Sequence, residues 1–267
     1  MSKIISVPTI IPVTRRDFLK GAGALAVMSA FGGLAVPSKA RAYQMCSAPA
    51  ANVYSDILSY WDMETDALNK PSTWGNATYG GGGALSTSQH AVGAKSLSIA
   101  DQLQSKAYFA YSGHNISEWF GLDEGAVGAY VYVPTAFVDQ VFIMQFYVNS
   151  QNQIYFLWNG TAGHIYTTRI ANNVGVGLSD VTTGITPDTW AYVEYHWSVS
   201  KALPDGHSQE FRVNGVTVAS TTTTLTSFSA GTNPTSAQIG NYQGGASNDF
   251  YMDQFLGTND PNRDLYA

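Results

Sequence analysis

The sequence predicts an all-β protein, a two-sheet antiparallel jelly-roll β-sandwich preceded by an export signal. Three observations predict it. After residue 42 the chain carries short runs rich in Val, Ile, Tyr, Phe and Thr, separated by clusters of Gly, Asn, Asp and Pro at intervals of about 8–12 residues, the spacing of sandwiches and barrels. Within the longer runs apolar and polar residues alternate with the period of two that a half-covered strand needs. Beyond the leader no segment repeats with the 3.6-residue period of an amphipathic helix.

The leader is read first. Thr14-Arg15-Arg16-Asp17-Phe18-Leu19-Lys20 has the paired arginines and the Phe-Leu-Lys tail of a twin-arginine signal, and the small and apolar run Gly21 to Val36 follows it. That run is too short and too rich in Gly and Ala for a stable membrane span, and Ala40-Arg41-Ala42 offers the small residues that a signal peptidase cuts beside. Residues 1–42 are therefore expected to be removed, leaving a periplasmic or secreted protein with no stable membrane insertion. Export by this route carries chains that have already folded, often with a cofactor loaded beforehand. Residues 43–58 lack any periodicity and read as a tail, and 59–267 as one sandwich domain, a length that such folds reach undivided.

Charge narrows the partners. Lys3, Arg15, Arg16, Lys20, Lys39 and Arg41 leave with the leader against Asp17 alone, so 7 of the 13 basic and 18 of the 19 acidic residues remain, a net charge of −11. Such a surface repels phosphate backbones and anionic lipid, which excludes nucleic-acid binding by counterion release. Cys46 is the chain's one cysteine. No intrachain disulfide is possible, so burial or a metal must hold the domain, and a thiol-linked pair of chains is the remaining use of Cys46.

The predicted strands, in order, are Ser59–Thr65, Lys95–Ile99, Ala126–Val133, Gln140–Val148, Gln153–Trp158, His164–Ile170, Trp190–Val199, Gln209–Val213, Val216–Ser220, Ala237–Asn241 and Phe250–Leu256. Alternation assigns faces to three of them. Val127, Ala129, Val131 and Val133 oppose Tyr130 and Tyr132; Phe142, Met144, Phe146 and Val148 oppose Gln145 and Tyr147; Val193, Tyr195, Trp197 and Val199 oppose Tyr192, Glu194 and His196. Each strand thus shows a dry side and a Tyr-rich polar side, as in a sheet covered on one face only.

Several segments, in this order, resemble the concanavalin A-like lectin/glucanase superfamily and within it the laminin-G-like branch. They are Tyr60-Trp61-Asp62-Met63-Glu64-Thr65, Gly125 to Pro134, Asp188-Thr189-Trp190-Ala191-Tyr192-Val193-Glu194-Tyr195, Phe211-Arg212-Val213-Asn214-Gly215-Val216, Gln238-Ile239-Gly240-Asn241 and Phe250-Tyr251-Met252-Asp253-Gln254-Phe255. The resemblance runs from about Tyr60 to the C-terminus. Val-Asn-Gly alone is simply a good hairpin turn; it is the order of the segments that is specific. The resemblance implies a structural calcium where the first and last strands of the domain meet, held by a carboxylate from each, and Glu64 and Asp253 stand at those places. Calcium takes six to eight hard oxygen ligands, so such a pair would clip the sandwich.

The expected binding face gathers Tyr130, Tyr132, Gln145, Tyr147, Tyr192, Glu194 and His196. Aromatic rings stack on the apolar faces of sugars while amides and carboxylates bond the hydroxyls, so a polysaccharide or other glycan is the expected partner. The resemblance also brings enzymes into view. Hydrolases of this superfamily show a Glu-x-Asp-x-x-Glu strand, which this sequence lacks, and hydrolysis needs two carboxyl groups where the expected face has only Glu194. A polysaccharide lyase would draw on Tyr192, His196, Gln145 and Arg169. A third class is a structural subunit of a cell-surface or extracellular matrix assembly that self-associates by strand addition or through Cys46 and the tail. The five histidines show no zinc-binding spacing, and no Gly-x-Ser-x-Gly elbow is present.

Overall fold

The computed structural model describes residues 57–66, 78–100, 106–110, 122–160, 163–229, 236–243 and 248–266, all within the compact unit Met45–Ala267. The leader, most of the tail and Cys46 lie outside the described residues. The strands are β1 Ile57–Trp61, β2 Thr78–Gly80, β3 Ala84–Ser86, β4 Ser96–Ile99, β5 Lys106–Ala110, β6 Glu124–Tyr132, β7 Gln140–Asn149, β8 Asn152–Asn159, β9 His164–Ala171, β10 Val174–Thr182, β11 Trp190–Ser198, β12 Gln209–Val213, β13 Val216–Thr221, β14 Ser236–Gln243 and β15 Phe250–Thr258. Among the described residues the one helical piece is a 3-10 turn, Pro204–Gly206.

The strands form two antiparallel sheets, confirming the sandwich. One has the order β13-β12-β11-β6-β15-β4-β3, with β1 also on β15; the other has β10-β9-β8-β7-β14-β5-β2. Every predicted run is a strand, although the first begins at Ile57 and ends at Trp61 rather than reaching Thr65. Four strands escaped the sequence reading: the three-residue β2 and β3, β5, and the nine-residue β10. In β10 the sequence Val174-Gly175-Val176-Gly177 puts glycine where a strand normally shows a polar side chain. At Gly177 this is a packing requirement, because a Cβ would lie 1.9 Å from the Thr167 carbonyl oxygen of β9.

The core lies between the sheets. Val127, Ala129 and Val131 of β6, Val193, Tyr195 and Trp197 of β11, and Met252 and Phe255 of β15 meet Met144 and Phe146 of β7, Ile154, Phe156 and Trp158 of β8 and Ile239 of β14, all buried. Burial of this much aliphatic and aromatic surface is the main force holding the layers together. The dry faces predicted for β6 and β11 are thus observed. In β7 the ladder register shifts between Phe142 and Met144. This bulge inserts one residue and reverses the facing of everything before it, so Ile143 and Val141 enter the core and Phe142 turns outward with Gln145 and Tyr147.

A cation is among the buried groups. Arg169 of β9 is 1 % exposed. Its Nε donates to the Leu122 carbonyl oxygen at 2.9 Å, one terminal nitrogen donates to the Thr226 carbonyl oxygen, the other meets Asp123 Oδ1 at 2.5 Å, and the guanidinium lies over the Phe228 ring. A buried cation so fully bonded anchors the segments before β6 and after β13 to the second sheet.

Candidate functional site

The seven-stranded sheet has an outer face whose side chains fall in cross-strand rows. Gln238, Gln145, Tyr155, Thr168 and Gly177 make one row; Phe142, Leu157 and Tyr166 make the next; Tyr147, Gln153, Ile170 and Gly175 lie on the other side. Phe142 and Tyr155 meet edge to face at 5.6 Å. Gln145, Tyr155, Leu157 and Tyr166 are partly exposed, and Tyr147 is 40 % exposed. From β14 to β10 the rows run about 19 Å at roughly 4.8 Å per strand. The two glycines at the β10 end leave that edge of the floor low.

Both long ends of the central row carry polar groups. At one, Lys106 Nζ of β5 donates to Gln238 Oε1 at 3.3 Å. Near the other, Asp180 of β10 accepts from the Tyr166 hydroxyl at 3.1 Å and pairs with His164 Nδ1 at 2.5 Å, while His164 Nε2 meets Thr182 Oγ1 at 3.1 Å. Asp180 has φ +60° beside a register shift in β10, which turns its carboxylate onto this face. The hydrogen bonds from His164 and then Tyr166 hold that carboxyl below the usual carboxylate range, so it is an ionised acceptor.

The seven residues expected to share one face are divided between the two sheets. Gln145 and Tyr147 belong to β7, whereas Tyr130 and Tyr132 belong to β6 and Tyr192, Glu194 and His196 to β11 of the opposite sheet. Alternation assigns sides to a strand but cannot say which sheet the strand joins. A second correction concerns access. Tyr192 is 2 % exposed and Glu194 and His196 are 0 % exposed, because the segment after β15 crosses above them. Leu265 N–H donates to Glu194 Oε1 at 2.7 Å, His196 Nδ1 meets the Pro261 carbonyl oxygen at 2.8 Å, and the Tyr266 ring lies 5.8 Å from Tyr192. Leu265 joins Tyr60, Ala126 and Tyr192 in a small second core. The lyase set is dispersed for the same reasons: Tyr192 and His196 are covered, Arg169 is interior and Gln145 is on the other sheet. Tyr130 packs against this second core, and Tyr132 remains partly exposed in a row with Trp190 and Tyr251, with ring centroids 5.5 and 6.0 Å away.

Glu64 and Asp253 come together across the end of β1. Asp253 Oδ2 accepts the N–H groups of Ala91 and Val92, each at 2.9 Å, and Glu64 Oε1 accepts those of Ala94 and Lys95 at 2.7 and 3.2 Å. The loop 91–95 thus clamps both carboxylates. Asp253 is 0 % exposed and its Oδ1 has no hydrogen-bond partner. Burial, reinforced by the nearby Glu64 and opposed by the backbone N–H bonds, pushes its carboxyl up to about 8. A bare buried oxygen beside a second carboxylate fits a hard cation. Among the described residues no three His, Cys, Asp or Glu side chains cluster, so backbone oxygens and water would have to complete such a shell.

A family model described as the TAT (twin-arginine translocation) pathway signal sequence matches residues 12–32. The chain is therefore a β-sandwich protein exported by the twin-arginine pathway, periplasmic or secreted. Among the described residues no helix is long and apolar enough to cross a membrane. No curated protein matches the sequence. Solved structures with the same fold include domain 4 of AbnA, a GH43 extracellular arabinanase from Geobacillus stearothermophilus, in complex with arabinotriose, at TM-score 0.56 and 13% identity, covering 78% of this chain and 94% of that one. The receptor binding domain of botulinum neurotoxin C/D mosaic serotype aligns at TM-score 0.57 and 10% identity, covering 78% and 49%. The botulinum neurotoxin serotype D ligand binding domain in complex with N-acetylneuraminic acid aligns at 0.55 and 11%, covering 78% and 48%. This chain spans about half the length of those neurotoxin domains. At such identities the likeness is one of fold.

Proposed function

We propose that the protein is an exported carbohydrate-binding domain whose glycan lies across the outer face of the seven-stranded sheet. The observation that carries this reading is the row Gln238, Gln145, Tyr155, Thr168 beside Phe142 and Tyr166. Amides placed next to aromatic rings match a sugar, whose ring faces are apolar and whose rim is hydroxyl. Lys106 supplies a donor at one end and Asp180 an acceptor at the other. Two solved neighbours of this fold hold arabinotriose and N-acetylneuraminic acid, which supports a sugar as ligand without naming it. The strand order, with β1 closing on β15, supports placing the chain beside the concanavalin A-like, laminin-G-like proteins.

The test is a glycan array probed with the exported protein, followed by titration of the best ligand. Tyr155→Ala is expected to weaken binding about tenfold, a loss of about 1.4 kcal/mol, and Gln145→Ala to weaken it less. Trp190→Ala, on the opposite sheet, is expected to leave it unchanged. Loss through Trp190→Ala with Tyr155→Ala intact would move the site to the Tyr132 row.

A structural calcium at Glu64 and Asp253 belongs to the same proposal. Without a cation, Asp253 keeps its proton to about pH 8 when folded but releases it near 4 when unfolded. The folded state then binds more protons, and stability falls as pH rises from about 4 to 8. The melting temperature in chelator is expected to decline across that window, and added calcium to oppose the decline most at its upper end. Asp253→Asn should remove both effects. Identical melting curves with chelator and with calcium at pH 8 would end the calcium assignment.

A further inference from the structure

The segment after β15 covers three polar side chains and leaves one polar atom of each without a hydrogen-bond partner: Tyr192 Oη, Glu194 Oε2 and His196 Nε2. His196 Nδ1 lies 2.8 Å from the Pro261 carbonyl oxygen, an acceptor only, so Nδ1 carries the hydrogen and donates it. In the neutral ring Nε2 then presents a lone pair. It faces Glu194 Oε2 at 3.8 Å, both side chains are 0 % exposed, and neither atom has a hydrogen-bond partner. The Tyr192 hydroxyl, also buried and without a partner, hangs over Gly128, the residue directly opposite Glu194 on β6. All three side chains project from the same side of β11.

Local charge is unbalanced in the same direction. Arg212, directly across from Glu194 on β12, is already held by both oxygens of Glu210, at 3.0 and 2.8 Å. Asp264 adds a negative charge whose influence reaches Tyr192 and Arg212. Glu194 feels the Arg212 charge only at a distance and shares it with Glu210 and Asp264, and no cationic side chain donates to its Oε2. A direct hydrogen bond ends at about 3.2 Å between heavy atoms. Two ligands each about 2.0–2.2 Å from one metal ion are instead separated by about 3–4 Å, and 3.8 Å falls in that interval.

We propose that Glu194 and His196 are ligands of one divalent transition-metal ion, with the Tyr192 hydroxyl as third donor. An imidazole nitrogen with an oxygen suits zinc and its first-row neighbours, whereas calcium and magnesium prefer oxygen alone. The hydrogen bond from Nδ1 to a backbone carbonyl is the outer support that metal-bound histidines carry. The ion would fasten residues 259–266, since Glu194 and His196 also hold that segment through Leu265 and Pro261. Export in the folded state allows it to be inserted before the protein leaves the cytoplasm.

The experiment measures metal in the exported protein, purified without chelator, by mass spectrometry and by competition with a chromophoric chelator using zinc as probe. About one equivalent per chain is expected, with zinc affinity at least tenfold weaker in Glu194→Gln and in His196→Gln and unchanged in Asp253→Asn. A readout on the wild type needs no variant: chelation should make the C-terminal residues at least tenfold more sensitive to carboxypeptidase, and zinc should restore protection. A protein that carries no transition metal and takes up none on dialysis against zinc, as when a water occupies the space, overturns the proposal. Retention of the full equivalent by both variants overturns it as well.

Discussion

Arg169→Met is expected to lower unfolding free energy by about 3–5 kcal/mol, measured by urea denaturation at neutral pH. The substitution conserves the stem of the side chain but removes every donor. It leaves the carbonyl oxygens of Leu122 and Thr226 without their charged partner and Asp123 without its counter-ion. Breaking one side of a buried, bonded charge is costly in this range because the stranded groups lose solvation as well as partner. Phe228 also loses the cation over its ring. An effect below about 1 kcal/mol would mean that the segments around Leu122 and Thr226 are held by something other than this guanidinium.

Trp197→Ala is expected to cost a similar amount, about 3–5 kcal/mol, as large aromatic truncations in a packed core do. Trp197 is 0 % exposed, lies 5.2 Å from the Tyr195 ring, and donates from Nε1 to the Leu122 carbonyl oxygen at 3.1 Å. That oxygen is also the acceptor of Arg169 Nε. The two residues share one acceptor from opposite sheets, so the double variant should be less damaging than the sum of the single ones, a coupling readable in a double-mutant cycle. Strict additivity would show that the shared carbonyl carries little of either effect.

The layers were legible because burial imposes a simple rhythm on the chain. Val127, Ala129 and Val131, and again Val193, Tyr195 and Trp197, face the core as their alternation requires. Three things broke the rhythm. The bulge at Phe142 changes sides through backbone geometry, which composition does not record. Strand β10 replaces polar residues by Gly175 and Gly177. The covering segment, Asn259 to Tyr266, has no period at all, yet it decides that Tyr192, Glu194 and His196 are sealed. Of the expected binding residues, Gln145 and Tyr147 stand on the face that the proposed site uses, and their neighbours Tyr155 and Phe142 come from a ladder register that only tertiary structure sets. Glu64 and Asp253 were paired in expectation by the resemblance alone, and the loop that clamps them brings them within electrostatic reach of each other.

Among the described residues strand β1 pairs only with β15, from Ile57 opposite Thr258 to Trp61 opposite Phe255. The part of the domain that emerges first from the ribosome thus waits for nearly the last part before it has a ladder to join. Contacts between positions so far apart are late and slow to form. A truncated or stalled chain would keep a loose strand just behind its export signal. Closure of the whole sandwich is in this way reported at the strand nearest the signal sequence.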